Sequence, residues 1–303
     1  MAIERDMHMD MDFSKCNYEM AEFLRKLPNL AVFNNFRSLM KGIWKSWMPK
    51  QCLSVHDQLA AGARYLEIRV TKYNNNLYGE HGLYTRQIRK YLREVRLFVE
   101  EQPTEVVVLH FQMADEFLDR ADKRRLVTQL FQVFGSKMAC ASGGDVSMLP
   151  SLRQLWNDKK HVIVFFPCSD MDLIQNHIFG GLVWSDECVR MVLPKKQTVD
   201  ELIDYLDETY AASSGSKDRR SGALHVTKAV LSPDMSMVFG KFEYKSMREL
   251  AARETCSAVC RWLEGKQGLN VVAVDFVGVG GVIDAILQLN YFDGSISSAA
   301  TAV

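Results

Sequence analysis

Short runs of β-branched and aromatic residues alternate along this chain with longer amphipathic segments. The runs lie at residues 64–70, 77–80, 106–111, 161–166, 181–184, 224–231 and 270–277, and each is apolar enough to be a strand buried on both faces. The amphipathic segments, at 85–101, 121–134, 198–208 and 246–264, have helical spacing. This order predicts an α/β fold with parallel strands, and seven strands in one domain favour a closed (β/α) barrel over an open sheet.

The length of the chain fits one domain of this class. Single α/β barrels commonly have about 250 residues and grow longer through insertions in their loops. We therefore expect one barrel domain over residues 1–294 of the 303. Residues 295–303 are small and polar, which predicts a flexible tail.

Composition excludes several classes of function. The chain has 37 basic and 37 acidic side chains, so its zero formal charge favours neither nucleic-acid binding nor strong attraction to an anionic membrane. Its seven cysteines are an odd number without paired C-x-x-C spacing, which argues against a disulfide framework and a zinc site. The N-terminus is too charged for a signal peptide, and no apolar run could span a bilayer. We expect a soluble, cytoplasmic protein without a cofactor or a bound metal.

One predicted strand carries charge in an unusual place. In the 64–70 strand, alternation puts Tyr65, Glu67 and Arg69 on one face and Leu66 and Ile68 on the other. An acid and a guanidinium would therefore point the same way from a strongly β-prone segment. The pair is either functional or a structural ion pair inside the barrel.

Six segments together carry a family resemblance. They are Trp47-x-x-x-Gln51, Gln58-Leu59-x-x-Gly62-x-Arg64-Tyr65-Leu66-Glu67-Ile68-Arg69, His81-Gly82, Pro103-x-Glu105-Val106-Val107-Val108-Leu109, Leu152-Arg153-Gln154-Leu155-Trp156 and Asn270-Val271-Val272-Ala273-Val274-Asp275-Phe276. In this order and spacing they resemble the X-domain-containing branch of phosphatidylinositol-specific phospholipases C. The resemblance covers nearly the whole chain and implies a distorted TIM-type (β/α) barrel.

The resemblance also implies a reaction. In the family, one histidine takes a proton from the inositol 2-hydroxyl, whose oxygen attacks the neighbouring phosphorus, and a second histidine protonates the departing diacylglycerol oxygen. The products are a cyclic inositol phosphate and diacylglycerol. By resemblance, His8 is the base and His81 the acid in this chain, while Asp275 hydrogen-bonds a catalytic histidine. The implied partner is phosphatidylinositol or a related phospholipid, met through transient contact with a membrane surface.

Arg69 indicates which branch of the family the chain resembles. The metal-dependent eukaryotic enzymes have a calcium-binding acid at this position, and the metal-independent branch has arginine. A guanidinium can contact two phosphate oxygens and keeps its proton, so it can stabilise charge on the phosphorane. Glu67 would orient Arg69 and balance its charge. This resemblance therefore implies catalysis without a metal.

Interpretations without a catalytic role remain open for these residues. His81 could be an ordinary loop histidine, and Asp275 could cap the turn at Gly278. The segment with Lys41, Trp44, Lys45, Trp47 and Lys50 could rest on lipid headgroups. Equally, its tryptophans, at i and i+3, fit the buried face of a helix, and we favour burial for Trp47.

The first histidine motif departs from the family pattern. The family opens with Pro-Gly-Ser/Thr-His-Asp/Asn-Ser, whereas this chain has no Pro-Gly before His8, and Met9 stands where the acid should be. With seven residues ahead of His8, the first barrel strand could be short or incomplete. The alternative function is a catalytically impaired protein that binds inositol phosphate or phosphoinositide headgroups. A third class, a metal-dependent glycerophosphodiesterase barrel, is disfavoured by Arg69.

Overall fold

The computed structural model describes residues 46–47, 51–80, 84–113, 118–141, 149–170, 180–214, 223–232 and 244–290. Contacts between Cα atoms divide them into two compact units. Unit 1 contains the described residues up to Glu187, except 61–63 and 149, and unit 2 contains the rest. The predicted domain limits, 1–294 and 295–303, stay a prediction because residues 291–303 lie outside the described part. His8 also lies outside it.

Unit 1 is built on a six-stranded sheet with the strand order β3-β2-β1-β4-β5-β6. Its strands are β1 Tyr65–Tyr73, β2 Asn76–Glu80, β3 Tyr84–Gln87, β4 Val107–Met113, β5 Val162–Phe166 and β6 Trp184–Ser185. Its helices are α1 Val55–Ala60, α2 Ile88–Glu101, α3 Arg120–Phe134 and α4 Leu152–Asn157. Strands β1, β4, β5 and β6 are parallel, as the alternation of strands and helices predicts.

Helices α2 and α3 cover the apolar face of this sheet. In α2, Leu92, Val95 and Val99 are fully buried at helical spacing. In α3, Asp119 accepts a hydrogen bond from the backbone N–H of Asp122, whose side chain accepts one in return, and this capping box sets the first turn of the helix. The core lies between these helices and the inward side chains of β1, β4 and β5.

The second predicted strand is antiparallel to the first, contrary to the prediction of parallel strands. β1 and β2 form a hairpin, with Tyr73 paired to Asn76 across the two-residue turn Asn74-Asn75. Both turn residues have positive φ, 44° and 59°, which is typical of a type I′ turn. Asparagine tolerates this left-handed backbone better than most residues, so the sequence at the turn explains the reversal.

Unit 2 is built on a smaller sheet, with three parallel strands in the order β7-β8-β9. The strands are β7 Val189–Met191, β8 Leu224–Lys228 and β9 Val271–Ala273. The helices are α5 Val199–Ser214, α6 Met247–Leu250, α7 Cys256–Leu263 and α8 Val282–Leu289. A π-helical turn, Ala251–Thr255, joins α6 to α7.

Several predicted boundaries were wrong for local reasons. The predicted 85–101 helix begins only at Ile88, because residues 84–87 pair with β2 as strand β3. The predicted 181–184 strand is reduced to Trp184–Ser185, preceded by a 3₁₀ turn at Gly180–Leu182. The predicted 270–277 strand ends at Ala273, and Phe276 has a left-handed φ of 54° that no strand accommodates. Sequence analysis also missed β7 and α8.

The hairpin turn offers a test of the structure. Asn74→Val places a β-branched residue at positive φ, and we expect a loss of about 1–2 kcal/mol in the free energy of unfolding. Asn76→Val, two residues away in the extended strand β2, is the comparison variant: it loses only an exposed hydrogen bond from its side chain to the Asn74 carbonyl at 3.1 Å and should change the free energy of unfolding by less than about 0.5 kcal/mol. Urea unfolding followed by circular dichroism measures both. Equal effects of the two substitutions would contradict the assigned turn.

Candidate active site

Strand β1 separates apolar from polar side chains as the alternation predicts. Leu66, Ile68 and Val70 are buried in the core of unit 1. The side chains of Glu67 and Arg69 extend from the opposite face and are exposed. The structure therefore brings the predicted acid and the predicted guanidinium to one face of one strand.

Arg69 forms an ion pair with a carboxylate that sequence analysis did not single out. Its Nε atom lies 2.9 Å from Oε2 of Glu80, which ends the neighbouring strand β2. The Glu80 side chain is only 12% exposed, whereas that of Arg69 is 50% exposed. The contact uses Nε, so the two Nη groups lie at the far end of the guanidinium. The predicted role of Glu67 as the orienting acid stays a prediction.

Glu80 directly precedes His81, which lies outside the described residues together with His8. The strand that leads to His81 is tightly packed at Gly79. A Cβ atom on Gly79 would come within 2.4 Å of Thr85 Oγ1 and within 2.9 Å of the Tyr91 ring. Tyr91 belongs to α2, and its hydroxyl donates a hydrogen bond to Thr85 Oγ1 at 2.8 Å. A glycine is needed here because the backbone of β2 passes against these side chains.

Strand β4 contributes a buried histidine beside this face. The register of the parallel pair places His110 opposite Glu67 and Gln112 opposite Arg69. The Tyr65 hydroxyl and His110 Nδ1 are 2.6 Å apart, and His110 is only 3% exposed. The ring of Phe165 on β5 packs edge-on against His110 at 6.1 Å. Tyr65 and His110 therefore form a hydrogen-bonded pair that Phe165 shields from solvent.

The surroundings of Tyr65 favour the protonated form of its phenol. Burial raises the pKa of the Tyr65 phenol, and the negative charges of Glu67 and Asp186 raise it further. The phenol therefore keeps its proton. Its hydroxyl donates to Nδ1 of His110 or accepts from it, according to the tautomer of the imidazole.

Asp186 follows the last strand of the six-stranded sheet. It comes directly after β6, at the carboxyl end of the parallel strands, and is close enough to Tyr65 to affect its pKa. Glu80 thus contacts the half-exposed guanidinium of Arg69, while the charges of Glu67 and Asp186 act on Tyr65 of the Tyr-His pair. Such a set can orient a phosphate through Arg69 and hold polar hydrogens through the acids.

Asp275 lies in unit 2, two residues beyond the end of β9. The residue after it, Phe276, begins a turn in which its carbonyl accepts a hydrogen bond from Val279 N–H at 2.9 Å. The charge of Asp275 is felt by Cys256, whose thiol has its pKa raised to about 11, mainly by burial. Asp275 therefore follows the strand and does not lie within it, as the predicted 270–277 strand required, and its role toward a histidine stays a prediction.

Four side chains of unit 1 that lie near these positions were not predicted as site residues: Tyr65, Glu80, His110 and Asp186. Two signals in the sequence could have found two of them: alternation puts Tyr65 on the face of Glu67, and Glu80 is the acid that directly precedes His81. In unit 2, Lys228 is a lysine only 9% exposed at the carboxyl end of β8. A buried lysine at such an edge is a candidate for phosphate binding.

The predicted lipid-facing segment is only partly described. Trp47 is 3% exposed, so it belongs to the core, as the helical spacing favoured. Lys41, Trp44, Lys45 and Lys50 lie outside the described residues. Among the residues that the structure describes, no helix is both long enough and apolar enough to cross a bilayer.

Solved structures share this fold. The chain superposes on phosphatidylinositol-specific phospholipase C from Listeria monocytogenes with a TM-score of 0.60 and 16% identity, over 82% of this chain and 86% of the bacterial one. A mutant of the Staphylococcus aureus enzyme gives 0.58 and 14%, over 80% and 85%. The likeness confirms the predicted class, an α/β fold of the distorted TIM-barrel type. In the described part of this chain the strands form two sheets and no closed ring.

Sequence comparisons identify the family. PI-PLC X domain-containing protein 3 of Mus musculus is 28% identical over 268 residues, which span 84% of this chain and 77% of the mouse protein. PI-PLC X domain-containing protein 2 of Mus musculus is 26% identical over 264 residues, or 84% of this chain and 72% of that protein. The PI-PLC X family model, described as PI-PLC X 1, matches residues 25–178, just over half of the chain. The chain therefore belongs to the PI-PLC X family.

Proposed function

We propose that this protein is a phosphoric diester hydrolase that cleaves phosphatidylinositol-type lipids without a metal ion. The observation that carries the proposal is the ion pair between Arg69 and Glu80, which holds a half-exposed guanidinium beside the strand that leads into His81. The family membership and the fold of the bacterial phospholipases C support the reaction class. The proposed setting is a transient encounter with a membrane surface in the cytoplasm.

The proposed reaction needs one group that accepts a proton and one that donates a proton. His8 removes the proton of the inositol 2-hydroxyl, and that oxygen forms a bond to the neighbouring phosphorus. The bond between phosphorus and the diacylglycerol oxygen then breaks, and His81 supplies the proton that the leaving oxygen needs. Asp275 would fix the tautomer and the orientation of a catalytic histidine. The products are a cyclic inositol phosphate and diacylglycerol.

Arg69 supplies the positive charge that this mechanism needs. Charge grows on the non-bridging oxygens as the phosphorane forms, and two Nη groups can donate to two of those oxygens. The pair with Glu80 through Nε limits the motion of the guanidinium without covering it, because half of the side chain is exposed. A positioned cation needs no reorganisation during the reaction, which is the usual source of electrostatic catalysis.

The Tyr65-His110 pair lies on the same face of the sheet as Glu67 and helps to position the side chains there. His110 lies opposite Glu67 in the ladder, so the hydrogen bond between Tyr65 and His110 fixes side chains on both strands next to that acid. We assign Tyr65 and His110 as positioning residues and Glu67 as the acid that balances Arg69. Their contribution depends on holding the charged side chains in place and requires no proton exchange with the substrate.

A second candidate function is binding without turnover. The missing Pro-Gly before His8 and the methionine after it favour this alternative, because a displaced base would leave the rest of the site able to hold a phosphate. Such a protein would bind inositol phosphates or phosphoinositide headgroups through Arg69. Losing a general base typically lowers a rate by about two to four orders of magnitude.

Arg69 gives the first functional prediction. Arg69→Ala should lower kcat/KM on phosphatidylinositol by about 10²–10³-fold, because the donors to the phosphorane are lost. Arg69→Lys should recover only part of the rate, since an ammonium cannot contact two oxygens in the same geometry. Arg253→Ala is the matched control, as Arg253 is also an exposed arginine paired with a glutamate, here on a helix of unit 2. Unchanged turnover in Arg69→Ala would remove the basis of the mechanism.

Chelation and the two histidines separate the candidate functions. Release of cyclic inositol phosphate from phosphatidylinositol vesicles should continue with EDTA present, and His81→Ala and His8→Ala should each lower it by at least about 10²-fold. Loss of activity with EDTA would indicate a metal-dependent enzyme instead. If no variant, including the unmodified chain, releases product while inositol phosphate still binds, the binding function is correct.

The positioning pair gives a prediction on both stability and rate. Tyr65→Phe leaves Nδ1 of buried His110 without its hydrogen-bond partner and should lower the free energy of unfolding by about 1–3 kcal/mol. It should also lower kcat more than it raises KM, because the charged face is less well held. Tyr210→Phe is the control, since its hydroxyl bonds the Gln267 carbonyl at an exposed position. Similar losses for both variants would argue against a special role for Tyr65.

A further inference from the structure

We infer that the loop formed by residues 192–196 is a lipid-contact loop, which inserts Val192 and Leu193 into the surface of a bilayer and places Lys195 against anionic headgroups. The loop follows β7 in unit 2. The inference rests on the proposed function only in the sense that an enzyme acting on phospholipids must meet a bilayer. Nothing in the argument requires that the lipid be cleaved.

The loop exposes apolar surface that the fold does not use. Val192 is 63% and Leu193 is 47% exposed, and they are the only two consecutive residues among the large exposed hydrophobic side chains of the described part. Isolated exposed apolar residues are common on soluble domains and carry no meaning alone. Two in succession at the tip of a loop form a small patch that can enter the boundary between headgroups and acyl chains.

The backbone of the loop is held in place from both ends. The Tyr205 hydroxyl donates to the Val192 carbonyl at 3.2 Å, and the Ser232 N–H donates to the Lys196 carbonyl at 2.8 Å. Between them, Pro194 is buried and has a fixed φ. Since the loop is already ordered, contact with a bilayer costs little conformational entropy.

Charge next to the patch selects the partner. Lys195 is exposed and has a left-handed φ of 51°, and Arg190 is an exposed residue of β7. The nearby acids, Asp200 and Glu201, lie on the first turn of α5, where Oε2 of Glu201 accepts hydrogen bonds from the backbone N–H groups of Gln197 and Thr198 at 3.2 Å. Exposed positive charge beside apolar side chains is complementary to anionic phospholipid, and each lysine near such a surface adds about fivefold to binding.

The position of the loop agrees with the proposed chemistry. Strands β7, β8 and β9 are parallel, so their carboxyl ends lie at one edge of the sheet. The loop follows β7 at that edge, and Asp275 follows β9 at the same edge. A bilayer that touches the loop would therefore meet the edge of this sheet that carries a proposed site residue.

The test uses the full chain and vesicles that contain no phosphatidylinositol, one set of neutral phosphatidylcholine and one with added phosphatidylserine. Val192→Ser with Leu193→Ser should lower the fraction that sediments with vesicles on the order of tenfold in partition coefficient. Leu152→Ser is the control for the apolar residues, since Leu152 is 54% exposed on α4. Leu193→Trp should strengthen binding, because tryptophan favours the interface.

Lysine variants test the charge separately. Lys195→Glu should weaken binding to the phosphatidylserine vesicles by at least about fivefold and leave binding to neutral vesicles nearly unchanged. Lys159→Glu is a close control, because Lys159 is also exposed and has a left-handed φ of 53°. Both substitutions place a glutamate at a position with left-handed φ. A difference in vesicle binding between the two variants therefore depends on where the lysine lies.

The possible results divide cleanly. No sedimentation of the unmodified chain with either vesicle, or equal sedimentation of the loop variants and their controls at unchanged melting temperature, would overturn the inference. If the serine double variant instead converts a dimer to a monomer in light scattering without affecting vesicle binding, the loop is a contact between copies and the inference is wrong. Cleavage of a soluble inositol phosphodiester is measured alongside, so failure of the proposed function is seen independently.

Discussion

The ion pair between Arg69 and Glu80 links the fold of unit 1 to its candidate chemistry. It joins two neighbouring strands, and it exists because the hairpin turn at Asn74-Asn75 sets their register. A slip of one residue would turn every side chain of β2 to the opposite face and separate the pair. The position of a charged group proposed for catalysis therefore depends on two asparagines with left-handed backbone.

Much of this arrangement could be predicted from the sequence, because period-two alternation is a local property. The shared face of Glu67 and Arg69, the α/β class and the helices around 88–101 and 120–134 all follow from side-chain spacing. Glu80 could not be recognised as the partner of Arg69, since which residues meet across a ladder depends on the turn that joins the strands. The antiparallel direction of β2 was missed for the same reason.

The Tyr65-His110 pair shows a different limit of prediction. The two residues lie 45 positions apart and meet only through the parallel register of β1 with β4. As isolated letters, His110 is a histidine in an apolar strand and Tyr65 is an ordinary aromatic. Burial raises the pKa of the phenol most, and the charges that add to it come from Glu67 on β1 and from Asp186 after β6. The topology of the sheet brings the two residues together, so no spacing in the sequence identifies them as partners.

The close packing at Gly79 couples the packing of α2 to the strand that leads into His81. The backbone just ahead of His81 packs against Thr85 and Tyr91. A helix side chain without a proposed chemical role therefore helps to position the strand that leads to the proposed acid. Substitutions that loosen the seating of α2 would then act as activity defects at elevated temperature, although every catalytic candidate is intact. Variants with this behaviour should map to the buried side of that helix.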